Sequence, residues 1–326
     1  MKQSHFEEQH GQAWQAFAQL LDSLERNDAS PTACETFAAQ YRHLCQHLAL
    51  AQERGYSSHL VDTLQHLAMR GHQQFYRHRS HLGASTLQFV LAGFPCLVRA
   101  QWRFVALAGL LFFGSLLITA MLVYLFPDLV YSVITPQQVV EMESMYDPDQ
   151  SRLGRLAERQ SSEDWMMFGY YIMNNIGIAF QTFASGLLLG VGSLFYLLFN
   201  GLMIGAVAGH LTEIGYGPGF WPFVIGHGAF ELSAIALAGA AGLKLGWAVL
   251  APGQLSRGEA LRGAAIVCVQ LIYGVLIFLL IAAFIEAYWS SKTAIQAPLK
   301  YAVGAGLWLL VGTYLGFAGR MPHAPD

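Results

Sequence analysis

The sequence predicts an all-α membrane protein, in which a cytoplasmic helical head precedes a polytopic bundle of about six transmembrane helices. Hydrophobic residues make up 54% of the 326 residues and charged residues only 12%, whereas an ordinary soluble domain carries roughly 25% charged residues. No Asp, Glu, Lys or Arg occurs from Trp165 to Thr212. A soluble protein surface does not tolerate such a run, so a lipid bilayer is the expected solvent.

The head, residues 1–81, has the pattern of three amphipathic helices. In the first helix, Trp14, Phe17 and Leu21 recur at three- and four-residue spacing, which places them on one face. Pro31 is typical of a new helix start. Nine histidines also lie in this head. Because their spacing is irregular and they fall mainly on polar faces, we expect them to be solvated rather than to bind a metal.

Residues 82–101 predict an amphipathic helix in the membrane interface. The segment is apolar but is interrupted by Pro95 and Arg99, and Arg103 follows beside Trp102. It is too short to cross a bilayer, whereas apolar residues flanked by arginine and tryptophan suit the boundary between lipid and water.

The remaining residues, 102–326, predict the membrane bundle, since each span needs about 20 apolar residues. The expected spans are 104–126, 165–185, 193–211, 221–243, 263–285 and 299–318. An acidic extracytoplasmic loop, 127–164, separates the first two, and a glycine-rich hinge separates the second and third. The polar residues Met1–His10 do not resemble a cleavable signal peptide, so the first span is expected to be an uncleaved anchor.

The positive charges near the span ends give an orientation. Six of them fall on one side of a six-span topology, namely Arg99, Arg103, Lys244, Arg257, Arg262 and Arg320. Lysine and arginine are enriched on the cytoplasmic side of membrane proteins. Both termini are therefore predicted to be cytoplasmic, and Lys292 is the one exception among these flanking charges.

Composition argues against several function classes. A net charge of −3 and a pI near 6.4 do not suit a nucleic-acid partner, which requires a basic surface. The four cysteines are scattered and form no Cys-x-x-Cys pair. Phosphate-binding loops and the Gly-x-Ser-x-Gly motif are missing from the sequence. We therefore expect neither an enzyme nor a bound cofactor.

A few polar side chains inside the predicted spans are the candidate functional residues. They are Asn174, Asn175, Asn200, His227, Glu231 and Glu286. At about 1.5 Å rise per residue, four of them lie about 9 to 18 Å below the outer ends of their spans, namely Asn174, Asn200, His227 and Glu231. Since ionisable groups avoid lipid, a single polar cluster is expected.

Three roles for this cluster stay open on sequence alone. His227 and Glu231 lie four residues apart on one helix face, and hydrogen bonds among the polar groups would lock the bundle together. The same groups could instead line a transport or proton pathway, or bind a metal. No metal ligand set is predicted, because no second His–Glu pair completes one and the His-Glu-x-x-His motif is absent.

Two helices carry small residues at regular spacing. Gly201, Gly205 and Gly209 repeat every four residues on the third span, and Gly312 and Gly316 do so on the sixth. Glycine at this spacing lets helix backbones approach closely. The pattern predicts either internal packing or the seam of a homodimer.

These motifs resemble the stage II sporulation protein M family. The strongest match is Phe199-Asn200-Gly201 with Gly205, followed by Gly226-His227-Gly228-Ala229-Phe230-Glu231. The other matching motifs are Phe94-Pro95 with Arg99, Tyr41-Arg42, Arg70-Gly71-His72, Asn174-Asn175 and Ile285-Glu286-Ala287.

The resemblance implies a non-enzymatic scaffold or assembly component in the bacterial cytoplasmic (inner) membrane, acting in peptidoglycan-linked envelope processes. Members with such a head look like those of Gram-negative bacteria. The partners it implies are a MoxR-type ATPase and von Willebrand factor A-type proteins, alongside the lipid bilayer and a second copy of the chain. The alternative is a transporter or channel subunit whose polar cluster titrates with protons.

Overall fold

The computed structural model describes residues 2–26, 31–75, 82–147, 161–292 and 294–320. Throughout these ranges the regular structure is helical and no strand occurs, which confirms the all-α prediction. The chain divides into two compact units, Met1–Gly83 and Ala84–Asp326.

The head unit contains three long helices, α1 Gln3–Glu25, α2 Pro31–Glu53 and α3 Ser58–Phe75. Their apolar faces meet in a core that includes Phe17, Leu44 and Leu64. Arg70 of α3 reaches α1, where its guanidinium lies 2.6 Å from the Asp22 carboxylate and 2.8 Å from that of Glu25. The side-chain hydrogen bonds of Arg70 to Glu25 and then to Asp22 raise its pKa well above the ordinary value, so the guanidinium stays charged.

The second unit contains nine helices among its described residues. They are α4 Leu82–Gln88, α5 Phe94–Ala100, α6 Trp102–Leu125, α7 Pro136–Tyr146, α8 Ser161–Ala184, α9 Val191–Glu213, α10 Gly217–Leu250, α11 Arg257–Ile285 and α12 Ala297–Phe317. Two five-residue π-helices, Phe89–Gly93 and Glu286–Ser290, precede α5 and follow α11. Short 3₁₀ turns occupy Pro127–Ser132 and Ser185–Leu187.

Four of the described helices are long and apolar enough to cross a membrane. They are α6, α9, α10 and α11 together with its π-helix. Helices α8 and α12 lie at the other two predicted spans. The structure therefore supports a multi-span bundle, and the count of six spans stays a prediction.

Helix α10 is the centre of the bundle. It packs against α6, α8, α9, α11 and α12. Ala234, Ala238 and Ala241 are fully buried along it, and a Cβ added to Gly242 would overlap the Ser193 hydroxyl. Small side chains along α10 allow several helices to approach it closely, and its sequence is mostly apolar because neighbouring helices surround it.

The turn between α8 and α9 lies at the glycine-rich hinge that the sequence indicates. Leu189 and Gly190 both have positive φ angles, of 55° and 82°, and Gly190 precedes the first residue of α9. A side chain on Gly186 would overlap the backbone of Gly242. The hinge can therefore pack directly on α10 because its glycines have no side chain.

The segment before the first span is anchored to the bundle. Phe94 and Val98 are buried, and the Phe94 ring occupies the space that a side chain at Gly274 of α11 would need. Leu87 and Leu91 are exposed. The amphipathic segment 82–101 thus packs one face against the protein. Its location in the membrane interface stays a prediction.

The predicted loop 127–164 contains a helix that the sequence analysis did not foresee. Helix α7 begins with a capping box, in which Thr135 and Gln138 satisfy each other's backbone groups. Val139 and Met142 then pack against α9 and α10, in a cluster with Leu211 and Phe220. Apolar residues three apart in an otherwise polar loop were the available signal.

Candidate functional site

Three polar side chains from two helices converge inside the bundle. His227 and Glu231 are one turn apart on α10, and Glu286 is the first residue of the π-helix after α11. One nitrogen or oxygen atom from each of the three lies within 4.8 Å of those from the other two. Spacing on α10 predicted the first two as neighbours, and the structure places Glu286, a third residue of the predicted polar cluster, beside them.

His227 is held in a defined orientation by its surroundings. Its Nδ1 lies 3.1 Å from Ser290 Oγ, and the Phe223 ring packs against the imidazole edge. Ser290 in turn accepts a hydrogen bond of 2.7 Å at its carbonyl oxygen from Lys300 Nζ. Both Ser290 and Lys300 are buried, and sequence reasoning missed them because neither lies in a recognisable motif.

The asparagine pair of α8 completes this polar region. Asn174 Nδ2 donates a hydrogen bond of 3.0 Å to Asn175 Oδ1, and the Asn175 amide neighbours the Glu231 carboxylate. Asn175 is only 3% exposed, yet its Nδ2 makes no hydrogen bond of normal length. A buried amide donor needs an acceptor, and the Glu231 carboxylate is the acceptor that this nitrogen faces.

The cluster borders a partly open cavity of about 390 Å³. Its polar lining comes from Gln138, Glu141, Asn174, Asn175, Glu231 and Glu286. Tyrosines and methionines of α7, α8 and α9 form most of the rest. The cavity thus joins the carboxylates of α10 and the π-helix to the polar helix α7. Among the described residues of its lining, acidic side chains occur without a lysine or arginine, which favours a cationic ligand.

Asn200 lies apart from this cavity. Its Nδ2 donates a 2.7 Å hydrogen bond to the carbonyl oxygen of Tyr196, one turn earlier on α9. The cavity lining and the three-residue cluster do not include it. The predicted depth of Asn200 in the membrane agrees with that of the cluster, but its amide donates a hydrogen bond within its own helix instead.

A family model described as Stage II sporulation protein M matches residues 104–291. The chain belongs to the Stage II sporulation protein M family. A model described as Domain of unknown function (DUF8413) matches residues 4–77, in the head. No curated protein and no solved structure matches the chain.

Membership of the Stage II sporulation protein M family confirms the resemblance drawn from the motifs and supports a membrane protein. The matched segment contains His227, Glu231 and Glu286 as well as Asn174 and Asn175. The candidate site is therefore part of the family region rather than of the head.

The glycines of this family member have two different surroundings. A side chain on Gly201, Gly205 or Gly209 would overlap the backbone of α6, at Phe112, Leu116 and Ala120 respectively. These three therefore serve contact between α9 and α6. No neighbouring atom lies within 4 Å of a Cβ added to Gly312 or Gly316, so the α12 glycines are not used within the described chain.

A second His–Glu pair is partly buried between α7 and α9. His210 Nε2 of α9 and Glu143 Oε1 of α7 are 2.7 Å apart, and His210 is only 4% exposed. This pair was not anticipated, because Glu143 was assigned to a solvated loop. It fixes α7 to α9 beside the candidate site.

In the head of this Stage II sporulation protein M family member, three histidines are close together. His10 and His47 stack with ring centroids 4.1 Å apart, and Trp14 Nε1 donates a 3.1 Å hydrogen bond to His47 Nδ1. Partial burial, followed by the nearby His10 and His43, lowers the pKa of His47. A neutral His47 thus suits the folded head.

Proposed function

We propose that the protein is a non-enzymatic scaffold or assembly component of the bacterial cytoplasmic membrane, with both termini in the cytoplasm. The observation that carries the proposal is the family match, which spans the bundle from residue 104 to residue 291. The proposed setting is an envelope process linked to peptidoglycan, in which the protein recruits other proteins rather than transforming a substrate.

The head supports this role because it has a core of its own. Phe17, Leu44 and Leu64 are buried within the three-helix unit, while Met69 on α3 is 56% exposed. A folded soluble unit attached to a membrane anchor is suited to hold partners at the membrane surface. The proposed partners are a second copy of the chain, a MoxR-type ATPase and von Willebrand factor A-type proteins.

Site-specific photocrosslinking in intact cells of the native host tests the scaffold proposal. A photoreactive amino acid at Met69 is expected to capture one of the proposed partners, identified by mass spectrometry. The same reagent at Leu64, which is fully buried, is the matched control and should capture none. Absence of a partner at Met69 and at other exposed head positions would remove the main support for the scaffold.

A second candidate is a transporter or channel subunit, which the polar cavity favours. Asn175, Glu231 and Glu286 give the cavity a hydrophilic wall inside an apolar bundle. Beyond Glu231, however, Ala234 and Ala238 are fully buried, and tight packing there weighs against a continuous aqueous pathway. A one-sided cavity suits ligand binding better than conduction.

Ion and proton flux into proteoliposomes separates the two candidates. A transporter should give a flux that Glu231→Gln abolishes and Glu143→Gln preserves, because Glu143 pairs with His210 outside the cavity lining. The scaffold proposal expects the background flux of empty liposomes from all three proteins. Flux that depends on Glu231 would replace the scaffold as the leading function.

A further inference from the structure

The arrangement of His227, Glu231 and Glu286 has the composition of a metal site. An imidazole and two carboxylates are ligands of zinc and similar divalent metals. Their candidate ligand atoms lie within 4.8 Å of one another. Ligands about 2.0–2.2 Å from a tetrahedral ion lie about 3.3–3.6 Å from one another, so side-chain rotations that move the ligand atoms by up to about 1.5 Å close the set.

We infer that His227, Glu231 and Glu286 bind one divalent transition-metal ion of the zinc type. Imidazole favours zinc, cobalt, nickel, copper or iron, whereas magnesium and calcium prefer oxygen ligands alone. The inference goes beyond the scaffold role and does not depend on it. A metal here joins α10 to the end of α11.

The surroundings of His227 match those of a histidine ligand. Metal-binding histidines usually donate their second ring nitrogen to an outer partner, which fixes the ring orientation. Ser290 Oγ lies 3.1 Å from His227 Nδ1, so the inference assigns the ion to Nε2. Lys300 Nζ holds the Ser290 carbonyl at 2.7 Å, so the partner is itself fixed.

The local backbone explains how Glu286 and Ser290 come to face α10 together. These two residues are the first and last of a π-helix. Single π-helical turns are rare and often occur at functional sites. The wider turn lets a ligand and the residue that orients the histidine project from one short segment.

Asn175 is a further polar group at this site. It is 3% exposed, borders the same cavity as Glu231 and Glu286, and its Nδ2 faces the Glu231 carboxylate at more than normal hydrogen-bond length. Three protein ligands leave a zinc ion with an open fourth position. A water or carboxylate oxygen bound there from the cavity would accept the Asn175 hydrogen bond.

Zinc retention by the purified full-length protein tests the site. The protein is prepared in detergent without a polyhistidine tag, loaded with zinc, dialysed and analysed by elemental mass spectrometry. Wild type is expected to retain about one zinc ion more per chain than Glu231→Gln or Glu286→Gln. Loss of an outer partner typically lowers metal affinity about 10- to 100-fold. Removal of a ligand should lower zinc affinity at least as much.

Two further variants sharpen the comparison. Ser290→Ala removes a positioning residue and should lower zinc affinity about 10- to 100-fold without removing a ligand. Glu143→Gln is the matched control, because it breaks a partly buried His–Glu pair of only two residues and should retain the zinc. Equal zinc content in wild type, Glu231→Gln and Glu286→Gln would overturn the inference, as would equal loss in Glu143→Gln.

The wild-type protein alone decides the question if a ligand variant does not fold. X-ray absorption of the zinc-loaded protein is expected to show nitrogen and oxygen neighbours with one imidazole. Two or more imidazoles would place the ion on the head histidines, and failure to retain zinc would exclude the site. Either result would overturn the inference.

Discussion

At the residue scale, Arg99 closes the C-terminal end of α12. Its guanidinium donates hydrogen bonds of 2.9 Å to the Leu315 carbonyl and 2.7 Å to the Ala318 carbonyl. The last carbonyls of a helix lack partners within the helix, and a cation there also complements the helix dipole. Arg99 thus gives the segment before the first span a fixed attachment to the last helix.

Substitution of Arg99 should therefore destabilise the bundle. Hydrogen bonds from a charged group contribute about 1.5–3 kcal/mol, so Arg99→Gln should lower the thermal unfolding temperature in detergent measurably. Arg103→Gln is the control, since Arg103 lies in the first turn of α6, over the Trp102 ring at 5.7 Å, rather than at the carbonyl end of a helix. Equal effects of the two substitutions would argue against a capping role for Arg99.

The lowered pKa of His47 predicts that the stability of the folded head depends on pH. Its pKa is lowered in the folded protein from an ordinary value of about 6.5, so the folded state binds fewer protons than the unfolded state. This contribution to stability is present above about pH 6.5 and is lost as the pH falls towards the folded pKa.

Unfolding of the head region, followed by hydrogen exchange at several pH values, checks this expectation. Protection of α1 and α2 should fall between neutral and mildly acidic pH, and His47→Gln should reduce that change. His59→Gln, at an exposed position, should leave it unaltered. A profile that His59→Gln flattens as much as His47→Gln would contradict the assignment.

Individual residues also show what the sequence could reveal about the candidate site. The pair His227 and Glu231 was predictable because four-residue spacing on a helix is local, and because charged groups in apolar spans are rare. The participation of Ser290 and Lys300 was not, since it depends on a π-helix and on the packing of α12. Asn200 was expected in the cluster because of its depth, but depth alone does not show in which direction a side chain points.

At the element scale, the pairing of α6 with α9 depends on glycine. A side chain at Gly205 would overlap the Leu116 carbonyl, and overpacking of this kind costs about 1–3 kcal/mol. Gly205→Ala should therefore lower the thermal unfolding temperature. Gly312→Ala, where the added Cβ meets no atom within 4 Å, should not, and similar losses in both variants would contradict this account of helix packing.

The helices with long apolar runs were the most predictable elements. The long apolar helices α6, α9, α10 and α11 coincide with predicted spans, because hydropathy over twenty residues is a property of the sequence itself. Helix α7 was missed within a polar loop, where a capping box and two apolar residues are its only local signals. The π-helix after α11 has no sequence pattern that distinguishes it from an α-helix.

At the scale of the whole molecule, a homodimer would have to use a surface other than the α9 glycines, which are occupied by α6. The open glycines of α12 are the remaining small-residue surface predicted from the sequence. Gly312→Leu is expected to reduce crosslinked dimer in membranes. Gly114→Leu, at an open glycine of α6, is the control, and an unchanged dimer in Gly312→Leu would exclude this seam.

The central claim is that the bundle gathers its polar side chains around a water-accessible cavity instead of exposing them to lipid. Two adjacent residues of α8 allow the cavity and the lipid-facing surface to be compared for access to water. Asn174 lines the cavity, and Met173 is 79% exposed on the bundle surface. In a cysteine-free background, each position is replaced by cysteine and the membranes are treated with a water-soluble maleimide. The maleimide reacts with the ionised thiol, which forms in contact with water but not in lipid. Rapid labelling of Asn174→Cys with slow labelling of Met173→Cys is the predicted result, and the reverse order would contradict the claim.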